Sequence, residues 1–406
     1  MQAKTVVDLP DHRISGSRIL VRVDFNVPLD PDRRITDDIR IVRALPTLSY
    51  LLERGGRLIV TSHLARPKGV DPAFSLRPVA EHLSGLLDFP VRFCPELVGP
   101  VAQKAVNDLD DGQLLLLENT RFHEGEKKND PELSRELADL CDLFVNDAFG
   151  SAHRAHASTV GAAEVLRERG REAVGGFLME KELRYLGMAL EAPDRPFAAV
   201  LGGAKISGKI EVIQSLLPKV DRLIIGGAMA NTFFKALGLE TGKSLVEEER
   251  VELARETLEE AGEKILLPVD CVVAPEISAG APTREAERAA VEPEEMIGDI
   301  GKGSRALFAD ALAGAGTVVW NGPMGVFEMP PFAGGTLALA EAVAVVSDHG
   351  GTTIVGGGDS ASAAEQAGVA DRLSHVSTGG GASLEFLSGA VLPGVAALDK
   401  KEGSSS

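Results

Sequence analysis

The chain is poor in aromatic residues and in cysteine, and its acidic residues outnumber its basic ones. Of 406 residues only 4% are aromatic, and the formal net charge is −18. This charge argues against polyanionic partners, so we expect no nucleic-acid or membrane-surface binding. Cys94, Cys141 and Cys271 are far apart and form no CxxC pair. They predict buried, free thiols in a reducing compartment rather than a disulfide framework or a zinc site.

Long hydrophobic runs are also missing. The N-terminal stretch MQAKTVVDLPDHRISGSR has no signal-peptide core, and no later run is long enough to cross a bilayer. We therefore expect a soluble, cytoplasmic protein. What the chain does have is 44% hydrophobic residues and 44 glycines, in a length that exceeds one usual core. These numbers predict two α/β domains with many strand-to-helix turns.

In the first half, continuous apolar strands alternate with helical stretches. The pattern predicts strands at 18–28, 57–62, 113–117 and 143–145, an edge strand near 91–94, and a helix at 35–52. Such alternation is typical of a parallel sheet that is covered on both faces, where ligands bind beyond the carboxyl ends of the strands. We expect the polar residues that follow these strands to converge at one edge of the sheet: Asp24, His63, Arg66, Arg121 and Arg154.

An amphipathic stretch at 177–192, ended by prolines, predicts a helix that links two domains. The predicted limits are residues 1–177 for the N-terminal domain, 178–192 for the linker helix and 193–389 for the C-terminal domain. Strand-turn-helix units resume after it at 198–205, 222–230, 265–270, 317–325 and 352–358. The acidic segment 281–295 lacks clear periodicity and predicts a solvated surface stretch. The final GSSS predicts an unstructured tail.

The stretch TTIVGGGDSASAAEQ (352–366) predicts an anion site. A short β-branched strand runs into three glycines and then into an Ala-rich helix. Glycines let a ligand approach the backbone closely, and a helix N-terminus offers unpaired N–H groups to a phosphate. Asp359, a hard oxygen ligand in this turn, favours a magnesium-nucleotide there.

Two other phosphate-binding motifs are only partly matched. Residues 203–209, GAKISGK, have Walker A spacing, but Ile210 stands where the magnesium-binding hydroxyl belongs, and 238–244, GLETGKS, is one residue short. Residues 356–361 fit a loose dinucleotide fingerprint, yet the strand-like stretch 375–379 carries no ribose-binding acid. An NAD-linked dehydrogenase therefore remains the alternative hypothesis, and a noncatalytic scaffold is a further one.

Three arginines at three strand ends form a more informative set than any one of them. Histidines lie beside two of the three residues Arg66, Arg121 and Arg154. The sequence suggests no acidic residues that would pair with these arginines. Several guanidinium groups at one sheet edge are costly without an anion, and they bind phosphate and carboxylate bidentately. We expect an anionic substrate there.

Together these stretches resemble the phosphoglycerate kinase family along nearly the whole chain. Seven motifs occur in the family's order: VRVDFNVP (21–28), HLARPKG (63–69), LLENTRF (116–122), NDAFGSAHRAHAS (146–158), LGGAKISGK (201–209), WNGPMGVFE (320–328) and GGGDSA (356–361). The resemblance implies two Rossmann-like domains, each a parallel sheet covered by helices, in a monomer. It also implies reversible, Mg²⁺-dependent phosphoryl transfer between 1,3-bisphosphoglycerate and ADP, giving 3-phosphoglycerate and ATP.

The resemblance further implies a role for each motif residue. The N-terminal domain would bind the triose, the C-terminal domain the nucleotide, and residues 390–406 would pack back on the N-terminal domain. Arg40 and Lys205 would be catalytic. The triose site would comprise Asp24, Phe25, Asn26, Arg40, His63, Arg66, Arg121 and Arg154. The nucleotide site would comprise Lys205, Lys209, Gly226, Gly227, Asn321, Val326, Glu328, Gly357, Gly358, Asp359 and Ser360, with Asp359 also holding the metal.

Three residues depart from the family pattern. Ala65 replaces a common glycine, a mild change if that backbone tolerates a Cβ. Gly208 stands where an acid is common and is expected to loosen the loop that presents Lys209. Ser360 replaces a usual threonine but keeps the hydroxyl. None of these changes removes a group that the reaction needs.

Overall fold

The structure, a computed structural model, describes residues 3–401 as alternating strands and helices. The strands of the first half are β1 (Arg18–Arg22), β2 (Arg57–Thr61), β3 (Val91–Phe93), β4 (Leu114–Leu116), β5 (Leu143–Asn146) and β6 (Ala173–Gly175). The helices there are α1 (Ile39–Glu53), α2 (Arg77–Ser84), α3 (Pro100–Asn107), α4 (Pro131–Asp139), α5 (Ala162–Glu168) and α6 (Phe177–Glu191). The predicted strands correspond to β1, β2, β4 and β5, the edge strand expected near 91–94 is β3, and the helices predicted at 35–52 and 177–192 are α1 and α6.

The second half continues the alternation. Its strands are β7 (Phe197–Leu201), β8 (Arg222–Ile225), β9 (Ile265–Leu266), β10 (Asp270–Ala274), β11 (Arg284–Glu287), β12 (Met296–Ile300), β13 (Thr317–Asn321), β14 (Thr352–Gly356) and β15 (His375–Val376). Its helices are α7 (Ile210–Leu216), α8 (Met229–Ala236), α9 (Val251–Ala261), α10 (Lys302–Leu312), α11 (Gly334–Asp348), α12 (Gly358–Gln366), α13 (Gly381–Leu387) and α14 (Pro393–Ala396).

Contacts between residues divide the chain into two compact units. The first unit runs to Arg184 and resumes at Val391, and the second unit is Tyr185–Ala390. The division falls within α6. Which ligand each part binds stays a prediction.

The first unit is built on a six-stranded parallel sheet in the order β3-β4-β2-β1-β5-β6. Its strands are short apolar runs such as Ile19–Val21, which are fully buried because helices cover both faces. Helix α1 contributes Ile41 and Leu48 to this core. The strand order reverses between β1 and β5, and the loops that follow these strands lie at the place where such sheets bind ligands.

The second unit repeats this architecture with the order β15-β14-β13-β7-β8-β9, again parallel throughout. The single tryptophan, Trp320 on β13, is fully buried in its core. Here the order reverses between β7 and β13. The predicted fold class, parallel sheets flanked by helices, is confirmed.

The expectation of an irregular surface stretch at 281–295 was wrong in part. Strand β11 lies in this segment and pairs antiparallel with β10, which also pairs with β12 in a small three-stranded sheet. Three of the four residues of β11 are exposed. A charged strand at a sheet edge has too few buried positions to show an alternating pattern, so the sequence concealed it.

The chain end packs within the first unit. Gly394 N–H donates to Ala152 O at 2.8 Å, and Asp399 N–H donates to Ala173 O at 2.8 Å. The predicted GSSS tail lies outside the described residues. The three cysteines are buried and free, as expected. Among the helices of residues 3–401, none combines the length and apolar character that crossing a bilayer requires.

Candidate active site

The first unit places Asp24 and Arg40 in direct contact. Asp24 follows β1, Arg40 lies in the first turn of α1, and Arg40 Nη1 donates to Asp24 Oδ2 at 2.5 Å. Burial opposes ionisation of Asp24, but His63, Arg40 and Arg22 together hold its pKa below the ordinary value. The two arginines act in this direction whether or not His63 is charged. The pair is therefore ionised, with the Arg40 guanidinium one-third exposed.

Asn26 and Asn119 fasten the loop that carries His63 and Arg66. Asn26 Oδ1 accepts the Ala65 N–H at 2.7 Å, and Asn119 Oδ1 accepts the Leu64 N–H at 3.1 Å. Ala65 has φ +55°, in the left-handed region that favours glycine. An alanine at this position is therefore not a mild departure, because its Cβ sits on a strained backbone.

The predicted arginines gather around this loop edge. Arg66 and Arg154 are exposed and Arg121 is half-buried. Burial, and then the nearby Arg66, lowers the pKa of Arg121, while Glu126 opposes the shift. Burial also lowers the pKa of His156 to about 4, against Glu126 and together with Arg121, Arg22 and Arg154. Guanidinium groups that influence one another electrostatically, two of them exposed, have the chemistry that an anion-binding surface requires.

The sequence reading missed two charged residues beneath this surface. Arg22 on β1 is only 1% exposed and Glu126 is fully buried. The statement that the arginines have no matching acid was therefore wrong, because Glu126 lies among them. A charged residue inside the apolar run RILVRV is the signal that could have identified Arg22.

Phe25 is placed differently from the other triose-site predictions. Its ring is fully buried in the core, and its backbone N–H donates to Ser62 Oγ at 2.8 Å. A binding role for Phe25 therefore cannot involve the ring. It packs beneath the loop rather than against a ligand.

The second unit contains a cleft of about 260 Å³ beyond the carboxyl ends of its strands. It brings together four predicted nucleotide-site residues, Gly227, Val326, Glu328 and Asp359. It is also lined by residues of the three-stranded sheet that the sequence did not suggest, Cys271, Gly298 and Asp299. These were hidden because the sheet itself was not predicted.

The loops after β7, β8 and β13 lie close together at the edge of this cleft. Met229 N–H donates to Gly203 O at 3.0 Å, and Gly227 N–H donates to Met324 O at 3.1 Å. Gly227 has φ +68°, and a Cβ there would lie 2.5 Å from Gly203 N. A side chain at 227 would force these loops apart. At Gly226, a Cβ would collide with Met324.

Lys209 and Asn321 form a polar contact between the loops after β7 and β13. Lys209 Nζ donates to Asn321 O at 2.8 Å and also to Asn321 Oδ1, while Asn321 Nδ2 donates to Gly356 O at 2.8 Å. Burial lowers the pKa of Lys209 to about 8, with Asp359 opposing the shift. Asn321 thus ties the lysine to the glycine turn after β14.

The glycine turn begins α12 as the sequence predicted. Gly357, with φ +95°, is the N-cap residue, and the helix begins at Gly358. The Ser360 hydroxyl oxygen accepts the Gly322 N–H at 2.6 Å. The hydroxyl at this position therefore connects the start of α12 to the loop after β13. The first-turn N–H groups and the positive end of the helix dipole are available to an anion.

Comparisons with known proteins identify the family of this chain. A model of the family "Phosphoglycerate kinase" matches residues 9–390. The chain belongs to the phosphoglycerate kinase family. The phosphoglycerate kinase of Chlorobium luteolum is 55% identical over 98% of this chain and 100% of its own. That of Solibacter usitatus is 55% identical over 97% of this chain and 99% of its own.

Solved phosphoglycerate kinase structures share the fold. That from Coxiella burnetii has a TM-score of 0.86 at 42% identity, covering 97% of this chain and 98% of its own. That from Pyrococcus horikoshii has a TM-score of 0.84 at 33% identity, with the same coverage. The activity is therefore the glycolytic transfer of a phosphoryl group between 1,3-bisphosphoglycerate and ADP, giving 3-phosphoglycerate and ATP.

Lys205 lies on an exposed loop, and a second segment of the chain holds this loop through hydrogen bonds. Glu247 Oε1 accepts the Ser207 Oγ–H at 2.6 Å, and Glu247 Oε2 accepts the Ser207 N–H at 3.1 Å. Ser207 lies midway between Lys205 and Lys209. Glu247 was not suggested by the sequence, because its partner is 40 residues away.

The residues around Asp359 suit a magnesium-nucleotide. The Asp359 carboxylate is exposed and makes no hydrogen bond or ion pair within the described chain. Residues 3–401 contain no group of three or more His, Cys, Asp or Glu side chains placed to hold a metal ion. Mg²⁺ is commonly held by one or two carboxylates together with the phosphates of its substrate, and the exposed Asp359 carboxylate in this cleft fits that donor set.

Proposed function

We propose that the basic cluster of the first unit holds the triose and that the cleft of the second unit holds the magnesium-nucleotide. The observation that carries this proposal is the start of α12, where open N–H groups and the free Asp359 carboxylate border the cleft. Helix N-termini with glycine turns bind phosphate. The basic cluster offers the complementary chemistry for a smaller, doubly anionic substrate.

In the first unit, each group would meet a defined part of the triose. Arg66, Arg121 and Arg154, with His63, would bind the phosphate that is not transferred. Asp24 and Asn26 would bind the glycerate end. Arg40, which is fixed by Asp24 but still partly exposed, would face the phosphoryl group that moves.

In the second unit, the predicted residues follow the nucleotide from base to phosphate. Gly226, Gly227 and Val326 would flank the adenine, where small residues leave room for a flat ring. Glu328 would bind the ribose hydroxyls. Asn321 and Lys209 would contact the phosphates. Asp359 would hold Mg²⁺, which when bound neutralises charge on the nucleotide phosphates.

The reaction needs positioning and charge stabilisation more than proton transfer. The nucleophile is a phosphate oxygen of ADP in one direction and a carboxylate in the other, and both are ionised near neutral pH. No general base is required. Arg40, Lys205 and the N–H groups of residues 357–360 would stabilise the charge on the transferred group, in an in-line displacement.

Three broader features belong to this proposal. We infer that the two units close around their ligands before transfer, because the triose and the nucleotide bind to different units. We also infer a cytoplasmic monomer. Its partners would be the two substrates alone, without nucleic acid or membrane.

The substitution Lys205→Ala tests the chemistry. We expect kcat to fall by roughly 10²–10³-fold, comparable to the loss of one oxyanion donor at about 3–4 kcal/mol, in a coupled assay with ATP and 3-phosphoglycerate. Lys302→Ala is the matched control, because Lys302 is likewise an exposed lysine of the second unit but does not line the cleft. Near-normal turnover of Lys205→Ala would remove this lysine from the chemistry.

A further inference from the structure

A buried chain of polar contacts connects Glu126 to the proposed triose site. Glu126 Oε1 accepts the Ser158 Oγ–H at 2.6 Å, and Glu126 Oε2 accepts the Ser158 N–H at 3.0 Å. Ser158 Oγ in turn accepts Arg22 Nε–H at 2.8 Å. All three residues are buried. The carboxylate thus compensates the Arg22 charge through one hydroxyl, as buried charges require.

Arg22 continues the chain to His63. Its Nη1 donates to Val23 O, and its Nη2 lies 3.2 Å from His63 Nδ1. A guanidinium has only donors, so a hydrogen bond between these atoms requires Nδ1 to be the acceptor. A neutral imidazole that accepts at Nδ1 carries its proton on Nε2.

The alternative arrangement is weaker. An Nδ1–H could point to Asp24 Oδ1, but that distance is 3.8 Å, beyond hydrogen-bond range. An imidazolium would place an N–H donor against the Arg22 donor and lose the 3.2 Å contact. Asp24 itself is already bonded to Arg40. The distances therefore select the neutral ring with the proton on Nε2.

We propose that Arg22 is a positioning residue that keeps His63 neutral, with its proton on Nε2, so that His63 meets the triose as a hydrogen-bond donor rather than as a cation. The proposal rests on the proposed contact between His63 and the triose. It assigns the positive charge of the site to the arginines alone. Glu126 and Ser158 belong to the same device, because they hold Arg22 in place.

The electrostatic surroundings agree with this geometry. Burial lowers the pKa of His63 to about 3, with Asp24 opposing and Arg22, Arg121 and Arg40 adding to the shift. These are the charged groups that face the ring from β1 and the loop after it, from the loop after β4 and from α1. An uncharged His63 over the working pH range follows from both arguments.

Nitrogen NMR of the full chain with ¹⁵N-labelled histidine tests the proposal. His63 is assigned by the signal that disappears in His63→Gln. We expect an unprotonated Nδ1 and a protonated Nε2 that do not change between about pH 5.5 and 8.5, a window that spans the ordinary histidine pKa. A proton on Nδ1, or a titration near that ordinary value, would overturn the inference.

Variants of the buried contact chain from Glu126 through Ser158 to Arg22, here called the relay, give a second readout. In Ser158→Ala, which keeps the Arg22 charge, we expect the chemical shifts of the His63 ring nitrogens to change or to show exchange between the two tautomers. Ser151→Ala, a serine of the same segment outside the relay, should leave them unchanged. Unaltered His63 signals in Ser158→Ala, with the fold intact, would show that the relay does not position the ring.

Titration with 3-phosphoglycerate separates this inference from the proposed binding role. If His63 contacts the triose, the Nε2–H signal should shift on binding. His63→Gln, which keeps a donor, should raise KM less than His63→Ala, for which we expect about a tenfold rise. An Nε2–H signal that does not shift when 3-phosphoglycerate binds would overturn the binding role of His63, whatever its tautomer in the free enzyme.

Discussion

At residue 65 the local conformation and the amino acid disagree. Ala65 adopts φ +55°, and its N–H is held by Asn26 Oδ1 at 2.7 Å, so the backbone cannot relax without losing this bond. An alanine in the left-handed region costs about 1–2 kcal/mol. Glycine would remove this cost, but part of the gain would be lost because glycine has greater conformational freedom in the unfolded chain. The loop that carries His63 and Arg66 thus holds a small amount of strain.

We therefore predict that Ala65→Gly raises the free energy of unfolding by about 0.5–1 kcal/mol, measured by urea denaturation. Ala73→Gly is the control, because Ala73 lies nearby in a 3₁₀ turn without a positive φ. We expect that variant to lose about 0.5–1 kcal/mol. Destabilisation of equal size in both would mean that residue 65 is not strained.

A second residue, Asp147, links stability to pH. It follows β5, is fully buried, and its Oδ1 accepts the N–H groups of Leu178 and Met179 at 2.9 and 3.1 Å, at the start of α6. Its Oδ2 forms no hydrogen bond within residues 3–401. Burial raises the pKa of Asp147 to about 6, against the nearby Thr47 hydroxyl and the two N–H donors, which favour the anion.

The sign of the effect follows from proton binding. Between about pH 4 and 6 the folded chain keeps a proton on Asp147 that the unfolded chain releases, so this group's contribution to stability decreases as pH rises through that window. Asp147→Asn keeps the cap and removes the charge. We predict that the variant gains about 3 kcal/mol over the wild type at pH 7.5, with most of the gain lost by pH 4.

Denaturation of both proteins across this range measures the difference. Other titrating groups are common to the two chains and cancel in it. A difference that stays constant with pH would show that Asp147 is ionised throughout in the folded protein.

The loop between β7 and α7 is held by hydrogen bonds to Glu247, a residue far along the chain. It carries Lys205 and Lys209 and contains flexible Gly208, where the sequence suggested a loosened loop. Glu247, in the segment between α8 and α9, anchors this loop at Ser207 through two hydrogen bonds. The anchor offsets the freedom that Gly208 introduces.

We predict that Glu247→Ala lowers kcat roughly three- to tenfold, because exposed hydrogen bonds contribute about 1 kcal/mol and Lys205 must be held near its reacting position. Steady-state kinetics and faster amide exchange at 203–209 measure the effect. Glu248→Ala, at the exposed neighbour, should leave both unchanged. Normal kcat with faster exchange would separate the loop's mobility from the chemistry.

The strand orders explain the positions of the sites within each unit. Both sheets reverse their strand order once, at β1/β5 in the first unit and at β7/β13 in the second. The loops after β1 and β5 carry Asp24 and Arg154, and those after β7 and β13 carry Lys209 and the residues after Asn321. Each proposed ligand site thus follows from the general rule for open parallel sheets.

For the whole molecule we predict that the radius of gyration decreases when 3-phosphoglycerate and a magnesium-nucleotide bind together. Transfer requires both ligands to share one water-poor site, and they bind to different units in our proposal. Small-angle scattering with neither ligand, each alone and both measures the change. An unchanged profile with both ligands at saturation would contradict closure.

Much of this protein was determined by local sequence. The alternation of apolar strands and helices, the glycine turn before α12, and the motif residues could be predicted because periodicity and turn chemistry are short-range properties. The family motifs extended this to the activity. Boundaries were less certain, as the later start of α1 at Ile39 shows.

Only the tertiary structure revealed how distant residues support these motifs. Arg22 and Glu126 are 104 positions apart, yet Ser158 connects them. Ser207 is held by Glu247, and residues of a small sheet with a charged edge line the cleft of the second unit. Strain at Ala65 likewise required the observed φ. Such pairings arise from packing between remote segments, and a charged side chain in a sequence carries no local sign of whether it will be buried or of which partner it will meet.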